Sequence, residues 1–237
     1  MSNDPTASIS RQLVVALDGP SSSGKSTVGG EVARRLGYRF CDTGLLYRAV
    51  AWLARERGVT PEDLAGLVPL TDEVALLADD RGRLRRVAVD GRDVTDEVRG
   101  EAVDRVVSDY ARVAELRTAL VGRQRAIAAA GGIVMAGRDI GTVILPDADV
   151  KIYLNATAEE RARRRAAERH SCDAAEANRI LDDLRRRDGI DSSRAAAPLR
   201  IAPDAVVIDT DGNSFDQTVG AVMAAIESVE TGAADGG

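Results

Sequence analysis

Apolar-rich runs of four or five residues recur along the chain at Leu13–Leu17, Tyr38–Cys41, Ile133–Ala136, Val150–Leu154 and Ala205–Ile208. Short apolar runs bounded by Gly, Asp or Pro read as strands buried on both faces. Between them the spacing changes to that of a helix. Val28, Val32, Ala33 and Leu36 share one face of a segment that starts at Lys25 and stops at Gly37, a residue suited to a C-cap. Further helices are predicted from Gly44, from about Glu115 to Ala130, from Ala158 to Arg169 and from Phe215 to Ile226. Thr157-Ala158-Glu159-Glu160 has the spacing of a capping box. Strand and helix in alternation predict an α/β fold: a five-stranded parallel sheet with helices on both faces, because right-handed crossovers put them there.

Residues 60–110 break the alternation. Thr60-Pro61-Glu62-Asp63 reads as an N-cap, a proline at the first helical position and an acidic first turn. Arg85–Val94 reads as a hairpin turning at Asp90-Gly91. An insert with a small antiparallel sheet of its own is expected there. The first ten residues, and the tail from Glu230 to Gly237 with its small residues, are expected to be disordered.

The first strand runs straight into Gly19-Pro20-Ser21-Ser22-Ser23-Gly24-Lys25-Ser26-Thr27, the pattern of a P-loop. Several backbone N–H groups must approach polyphosphate oxygens together, which needs backbone freedom at Gly19 and Gly24 and then a helix N-terminus. Lys25 is suited to the β- and γ-phosphates, Ser26 to magnesium and Thr27 to a further phosphate contact. Of 32 basic residues only Lys25 and Lys151 are lysines, so lysine stands where the pattern requires it in a chain that otherwise uses arginine.

Composition narrows the rest. With 237 residues, 44% apolar and 30% charged, the chain reads as one main globular domain with room for an insert. A net charge of −6 argues against an extended nucleic-acid footprint. No stretch has the length of a membrane span and the start lacks a secretory signal plan, so a cytoplasmic protein is expected. Cys41 and Cys172 belong to no CxxC pair, and His170 is the sole histidine, read as a solvated residue. Zinc sites and histidine triads are therefore not expected. Residues 161–200 hold eleven arginines against seven acids, a basic stretch in an acidic protein.

Three more constellations fall at the carboxyl edge of predicted strands or in that basic stretch. They are Asp42-Thr43-Gly44 with Tyr47 and Arg48, Gly137-Arg138-Asp139-Ile140-Gly141-Thr142, and Arg187, Asp191 and Arg194 in an RxxxDxxR pattern. Ligands of open parallel sheets lie at that edge. Each also has a plain structural reading as a cap, a surface ion pair or a solvated helix face.

Together and in this order, the P-loop, DTGxxYR, GRDIGT and RxxxDxxR resemble the bacterial cytidylate kinase family of P-loop nucleoside monophosphate kinases over about residues 13–226. The resemblance implies a three-layer kinase core over 11–59 and 111–229, a monophosphate-binding insert over 60–110 and an arginine-rich helical lid over about 157–194. It implies ATP on Gly19–Thr27 with Mg²⁺ on Ser26. Around CMP or dCMP it implies Thr43, Tyr47, Arg48, Ser108, Arg117, Arg138, Asp139, Arg187, Asp191 and Arg194. Arg48, Arg138 and Arg194 would hold the acceptor phosphate, Arg187 and Asp191 the sugar, and Ser108, Arg117 and Asp139 the base; Lys25, Arg138, Arg187 and Arg194 would carry catalysis. Thr43 stands where serine is common in the family, which should leave the substrate unchanged. Which of Arg161, Arg163, Arg164, Arg165 and Arg169 meets ATP is left open, and a monomer is the expected state. A kinase of the same scaffold preferring UMP, and a nucleotide-binding switch protein, are the alternatives; the chain has no Asn-Lys-x-Asp guanine-reading motif.

Overall fold

A computed structural model describes residues 12–169 and 173–234. The expected disorder of residues 1–10 and the readings of His170 and Cys172 lie outside these residues. In chain order the elements are β1 (Val14–Asp18), α1 (Lys25–Leu36), β2 (Arg39–Asp42), α2 (Gly44–Glu56), α3 (Leu64–Leu67), β3 (Val74–Ala78), β4 (Leu84–Val89) and β5 (Arg92–Asp93). Four helices follow, α4 (Thr95–Arg99), α5 (Glu101–Asp104), α6 (Val107–Ala111) and α7 (Ala114–Ala128), then β6 (Ile133–Gly137) and β7 (Val150–Asn155). The arginine-rich helices α8 (Ala158–Glu168) and α9 (Ala174–Ser193) come next, and β8 (Val206–Asp209) and α10 (Phe215–Ala234) are the last elements described.

The five strands expected from the apolar runs form the parallel sheet β2-β6-β1-β7-β8. Alternation along each strand sends side chains into two layers. Val15, Leu17, Val134 and Ala136 pack with α1 and α10 residues such as Val32, Val219 and Ile226, while Ala16, Ile133 and Met135 pack with Ile140, Ile144 and Ala128 on the other side. Phe40, Leu17, Met135 and Ile152 are among the largest side chains sealed in this core. At about 25 cal/mol per Å² of apolar area, each contributes roughly 2–3 kcal/mol to folding.

Residues 60–110 do contain a small antiparallel sheet, but it is not separate. β3, β4 and β5 pair antiparallel, and β4 joins the parallel sheet through Cys41 and Leu84. The Asp90-Gly91 hairpin is as expected, with φ of +50° and +78° at the two turn residues, the left-handed pair that a two-residue turn needs. Val87, Val89, Val98 and Val103 of this region share one apolar cluster with Leu46, Val50 and Leu53 of α2 and with Leu116 and Leu120 of α7. The insert therefore has no core of its own.

Three local expectations are corrected. The helix read from Pro61 begins at Leu64: Thr60–Asp63 forms a turn, and the cap is Asp63, whose carboxylate accepts from the Gly66 N–H at 3.0 Å. The second strand starts at Arg39, because the Tyr38 N–H turns back to the Ala33 carbonyl at 2.8 Å and completes the Gly37 end of α1. Helix α10 runs on past Ile226 to Ala234, into the segment read as disordered. Helix α8 starts after Thr157 as read, and the Thr157 hydroxyl accepts from the Glu160 N–H at 3.3 Å, but the reciprocal half of the box is absent: the Thr157 N–H donates to Asp211 and the Glu160 carboxylate takes Arg163 and Arg164.

Candidate active site

β1 ends at Asp18, and the chain then turns through Gly19 with φ +151°, Ser22 with φ +59° and Gly24 with φ +94° before α1 begins at Lys25. Gly19 is dictated by packing as well as by its dihedral: a Cβ there would sit 2.3 Å from the Leu154 carbonyl oxygen of β7. Gly24 stands at the N-cap of α1 with no side-chain cap, so the first-turn N–H groups of the helix lack a capping oxygen from that residue. Orphan N–H groups at a helix N-terminus form an anion site.

Lys25 folds back over this loop, donating to the Pro20 carbonyl at 2.5 Å and to Ser23 Oγ at 3.3 Å. Burial, and then the nearby positive charge of Arg138, push its ammonium down to about 7. Ser26 Oγ donates to Asp42 Oδ2 at 2.7 Å, and Asp42 Oδ1 accepts from the Gly44 N–H at the start of α2. This hydroxyl and carboxylate are hard oxygen donors. Among the described residues no group of three or more His, Cys, Asp or Glu is placed to hold a metal. As hard oxygen donors, the two side chains suit a cation such as Mg²⁺, which keeps several waters and takes much of its shell from nucleotide phosphates. The Thr27 hydroxyl donates to the Gly24 carbonyl at 2.9 Å, which leaves its lone pairs facing the cleft it lines.

Loop and arginines share one cleft of about 680 Å³. Every residue expected at the site lines it except Gly19 and Pro20, which shape the loop from behind. Arg138 and Asp139, adjacent in sequence, do not neutralise each other. Arg138 Nε donates to Asp191 Oδ2 in α9, whereas Asp139 accepts from Arg117 Nη2 in α7. The Arg117–Asp139 pair is sealed, with side chains 5% and 6% exposed, and the Arg117 guanidinium lies 5.0 Å from the centre of the Tyr47 ring. Ser108 of α6 is buried and lines the same cleft. Thr43 Oγ1 donates to the Ala136 carbonyl at 2.8 Å, so its proton ties β2 to β6 and only its lone pairs are left for a ligand.

Charge at this end of the cleft is incompletely matched. Arg194 Nη2 lies 3.7 Å from Asp139 Oδ1, and Arg194 Nη1 lies 3.7 Å from Asp191 Oδ1, both beyond hydrogen-bond reach. Arg117 Nε, Arg187 Nε and Arg194 Nη2 are buried donors without a protein partner. Burial, and then Arg138 and Arg48, bring the Arg187 guanidinium down to about 10. Burial would raise the Asp191 carboxyl, but Arg138, Arg194 and Arg187 hold it below the usual range. Buried donors left unpaired amid like charges mark a place built for an anion.

The arginines of α8 and the residue that ends it divide by partner. Arg161 is buried and donates to the Ser21 carbonyl of the loop at 3.1 Å as well as to Asp188 of α9. Arg163 and Arg164 pair with Glu160, and Arg165 and Arg169 reach Asp104. Arg163, Arg164 and Arg165 line the cleft.

The family model described as cytidylate kinase matches residues 15–228. The chain belongs to the cytidylate kinase family. It is 44% identical over 214 residues to the cytidylate kinase of Geobacillus kaustophilus (strain HTA426), covering 90% of this chain and 96% of that one. It is 46% identical over 220 residues to the cytidylate kinase of Symbiobacterium thermophilum, covering 90% and 95%. The cytidylate kinase of Mycolicibacterium paratuberculosis is 44% identical over 213 residues, with 89% and 93% covered. Among the described residues no helix is long and apolar enough to cross a membrane.

In this member of the cytidylate kinase family, three carboxylates support the candidate site without a role that the motifs assign. Asp42 opens the DTG motif, and its place at the end of β2 sets it against Ser26. Asp18, at the end of β1, accepts from the Ile140 and Gly141 N–H groups at 2.8 and 2.7 Å and so holds the π-helical turn Ile140–Ile144 directly after Arg138-Asp139. Burial pushes the Asp18 carboxyl up to about 6. Asp104, on α5, accepts from Arg48 and has no motif to announce it.

Proposed function

We propose that the chain transfers the γ-phosphoryl group of ATP to the phosphate of CMP or dCMP, giving ADP and CDP or dCDP. One observation carries this reading: a single cleft has a phosphate-cradling loop at one end and, at the other, five arginines converging with buried donors unsatisfied. A switch protein that binds only one nucleotide has no use for the second set.

ATP lies with its phosphates on Gly19–Thr27 and Lys25 at the β- and γ-phosphates. Ser26, with Asp42 behind it, would hold Mg²⁺, which would neutralise phosphate charge and help align the transferring group. Arg48, Arg138 and Arg194 take the acceptor phosphate, for which planar guanidinium forks suit several oxygens at once. Arg187 shares Asp104 with Arg48 and lies one helical turn from Asp191, so it spans phosphate and sugar. Ser108, Arg117 and Asp139 read the base. Asp139 accepts from the cytosine amino group, whereas uracil offers an acceptor and leaves a buried carboxylate facing a carbonyl.

A phosphate monoester has its second pKa near about 6, so the acceptor is already a nucleophilic dianion at neutral pH and needs no general base. The residues then align two anions in line and offset their repulsion. The lid helices exclude water, which would otherwise compete as acceptor; Arg161, bound to the Ser21 carbonyl, ties that lid to the loop.

The test is ADP release with ATP and Mg²⁺ across CMP, dCMP, UMP and AMP. CMP and dCMP are expected to exceed UMP in kcat/KM by at least about tenfold. Equal or better use of UMP makes the chain a UMP-preferring kinase, and slow GTP hydrolysis with CMP left unphosphorylated makes it a switch.

A further inference from the structure

Asp104 is the most heavily engaged carboxylate in the cleft region, yet it comes from α5 of the insert and belongs to none of the four motifs. Its Oδ1 accepts from Arg48 Nη2 at 2.5 Å and from Arg187 Nη1 at 3.2 Å; its Oδ2 accepts from Arg165 Nη2 and, at 3.1 Å, from Arg169 Nη2. A carboxylate offers about four lone-pair sites, and here each meets a guanidinium from α2, α8, α9 or the residue ending α8. The side chain is 10% exposed. Burial alone would raise its carboxyl, but Arg48, Arg187 and Arg165 hold it far below the usual carboxylate range, so it stays charged.

One carboxylate among four guanidiniums neutralises only part of their charge. Two of the four, Arg48 and Arg187, line the acceptor end of the cleft, and Arg187 Nε is one of the unpaired buried donors. Arg48 is also fixed from α4, its Nη1 donating to the Val98 carbonyl at 3.0 Å. The shell around Asp104 Oδ1 thus resembles half of a phosphate site already filled by a protein oxygen. A dianion seated on the same two guanidiniums meets the Asp104 charge a few ångströms away, and like charges at that range repel strongly where water is scarce.

We propose that Asp104 is an internal stand-in for the acceptor phosphate, a positioning residue that holds Arg48 and Arg187 in the empty cleft and competes with the incoming phosphate for them. Binding of the acceptor then exchanges ligands: Arg48 and Arg187 leave Asp104 Oδ1 for the phosphate, while Oδ2 keeps Arg165 and Arg169 and so keeps the insert tied to the lid. The carboxylate sets acceptor affinity through this competition at Oδ1.

This inference rests on the acceptor site proposed above, and inorganic phosphate as the probe separates the two. Asp104→Asn removes the charge and keeps the shape. It is expected to bind phosphate, read by calorimetry, at least about fivefold more tightly than the unaltered protein, and to lower the KM for CMP while the KM for ATP stays within about twofold. Asp104→Glu restores the charge and is expected to bring phosphate affinity back towards that of the unaltered protein. A purely structural role predicts weaker phosphate binding in Asp104→Asn; unchanged or weaker binding overturns the proposal. If phosphate binding tightens but the unaltered protein leaves CMP unphosphorylated, the functional reading fails and the competition stands. Should Asp104→Asn not fold, a crystal of the unaltered protein with CMP decides. Arg48 and Arg187 are expected on the phosphate and more than about 3.5 Å from Asp104; either one still bonded to Asp104 with the phosphate seated overturns it.

Discussion

Arg117 donates through Nη2 to Asp139 Oδ2 with both side chains almost sealed from solvent, and this pair joins α7 to the turn after β6 at the floor of the cleft. Neither partner tolerates being left alone. Asp139→Ala leaves a buried guanidinium uncompensated, for which a loss of about 3 to 5 kcal/mol in folding stability is expected from urea denaturation. Among molecules that still fold, the CMP to UMP ratio of kcat/KM should fall at least about tenfold. An unchanged ratio removes Asp139 from base reading.

Lys25, held near 7 by burial and by Arg138, is largely uncharged at pH 8 in the ligand-free protein. Bound polyphosphate favours its charged form, so ATP binding at pH 8 is expected to take up close to one proton. Calorimetry in two buffers of different ionisation enthalpy reads this directly. Between about 7 and the usual lysine value of 10.5 the unfolded chain binds more protons at this position than the folded one, so the stability of the ligand-free protein gains from this group as pH rises through that window. Lys25→Ala is expected to erase the proton uptake and lower kcat by about a hundredfold or more.

Gly19→Ala places a methyl group 2.3 Å from the Leu154 carbonyl oxygen at a φ of +151°. Backbone cannot yield cheaply at the end of β7, so the loop must move. ATP affinity, measured by calorimetry, should drop by more than about tenfold, with a stability loss of at least about 1 kcal/mol. Normal ATP binding in this variant would show that the loop is not the nucleotide cradle.

Asp18→Asn keeps one acceptor for the Ile140 and Gly141 N–H groups and turns an amide donor on the other. A cost of about 1–3 kcal/mol is expected from one unsatisfied buried N–H. The Asp18 carboxyl is raised to about 6, so the folded state binds more protons than the unfolded one between about 3.8 and 6. Its stabilising contribution is fully present below that window and is lost as pH rises through it. The stability gap between the unaltered protein and Asp18→Asn should therefore widen as pH falls from 6 towards 4 in urea titrations. A constant gap would mean that Asp18 does not titrate there.

Much of the core was legible because its signals are local. A strand buried on both faces must be apolar throughout, so Val15–Leu17 and Ile133–Ala136 announce themselves, and a left-handed turn demands Asp90-Gly91. β3 was not legible: Val-Ala-Leu-Leu-Ala at Val74–Ala78 has no polar–apolar alternation, and its antiparallel partner β4, reached through the turn Asp79–Gly82, makes it a strand. The apparent cap at Thr60 failed because Asp63 competes for the same helix start, and local propensity alone does not rank two caps three residues apart.

The amino-acid order by itself determined the phosphate loop, the sheet that carries it and the types of side chain brought to the cleft. These depend on neighbours within a few residues, where backbone sterics and periodicity act. Tertiary structure alone decided the partners. Arg138 and Asp139 are adjacent in the chain yet turn to Asp191 and Arg117, and Asp104 gathers Arg48, Arg165, Arg169 and Arg187 from across the sequence. Charge pairing is long-ranged and set by where helices pack. No pattern along the chain encodes which of 32 basic residues will meet which carboxylate.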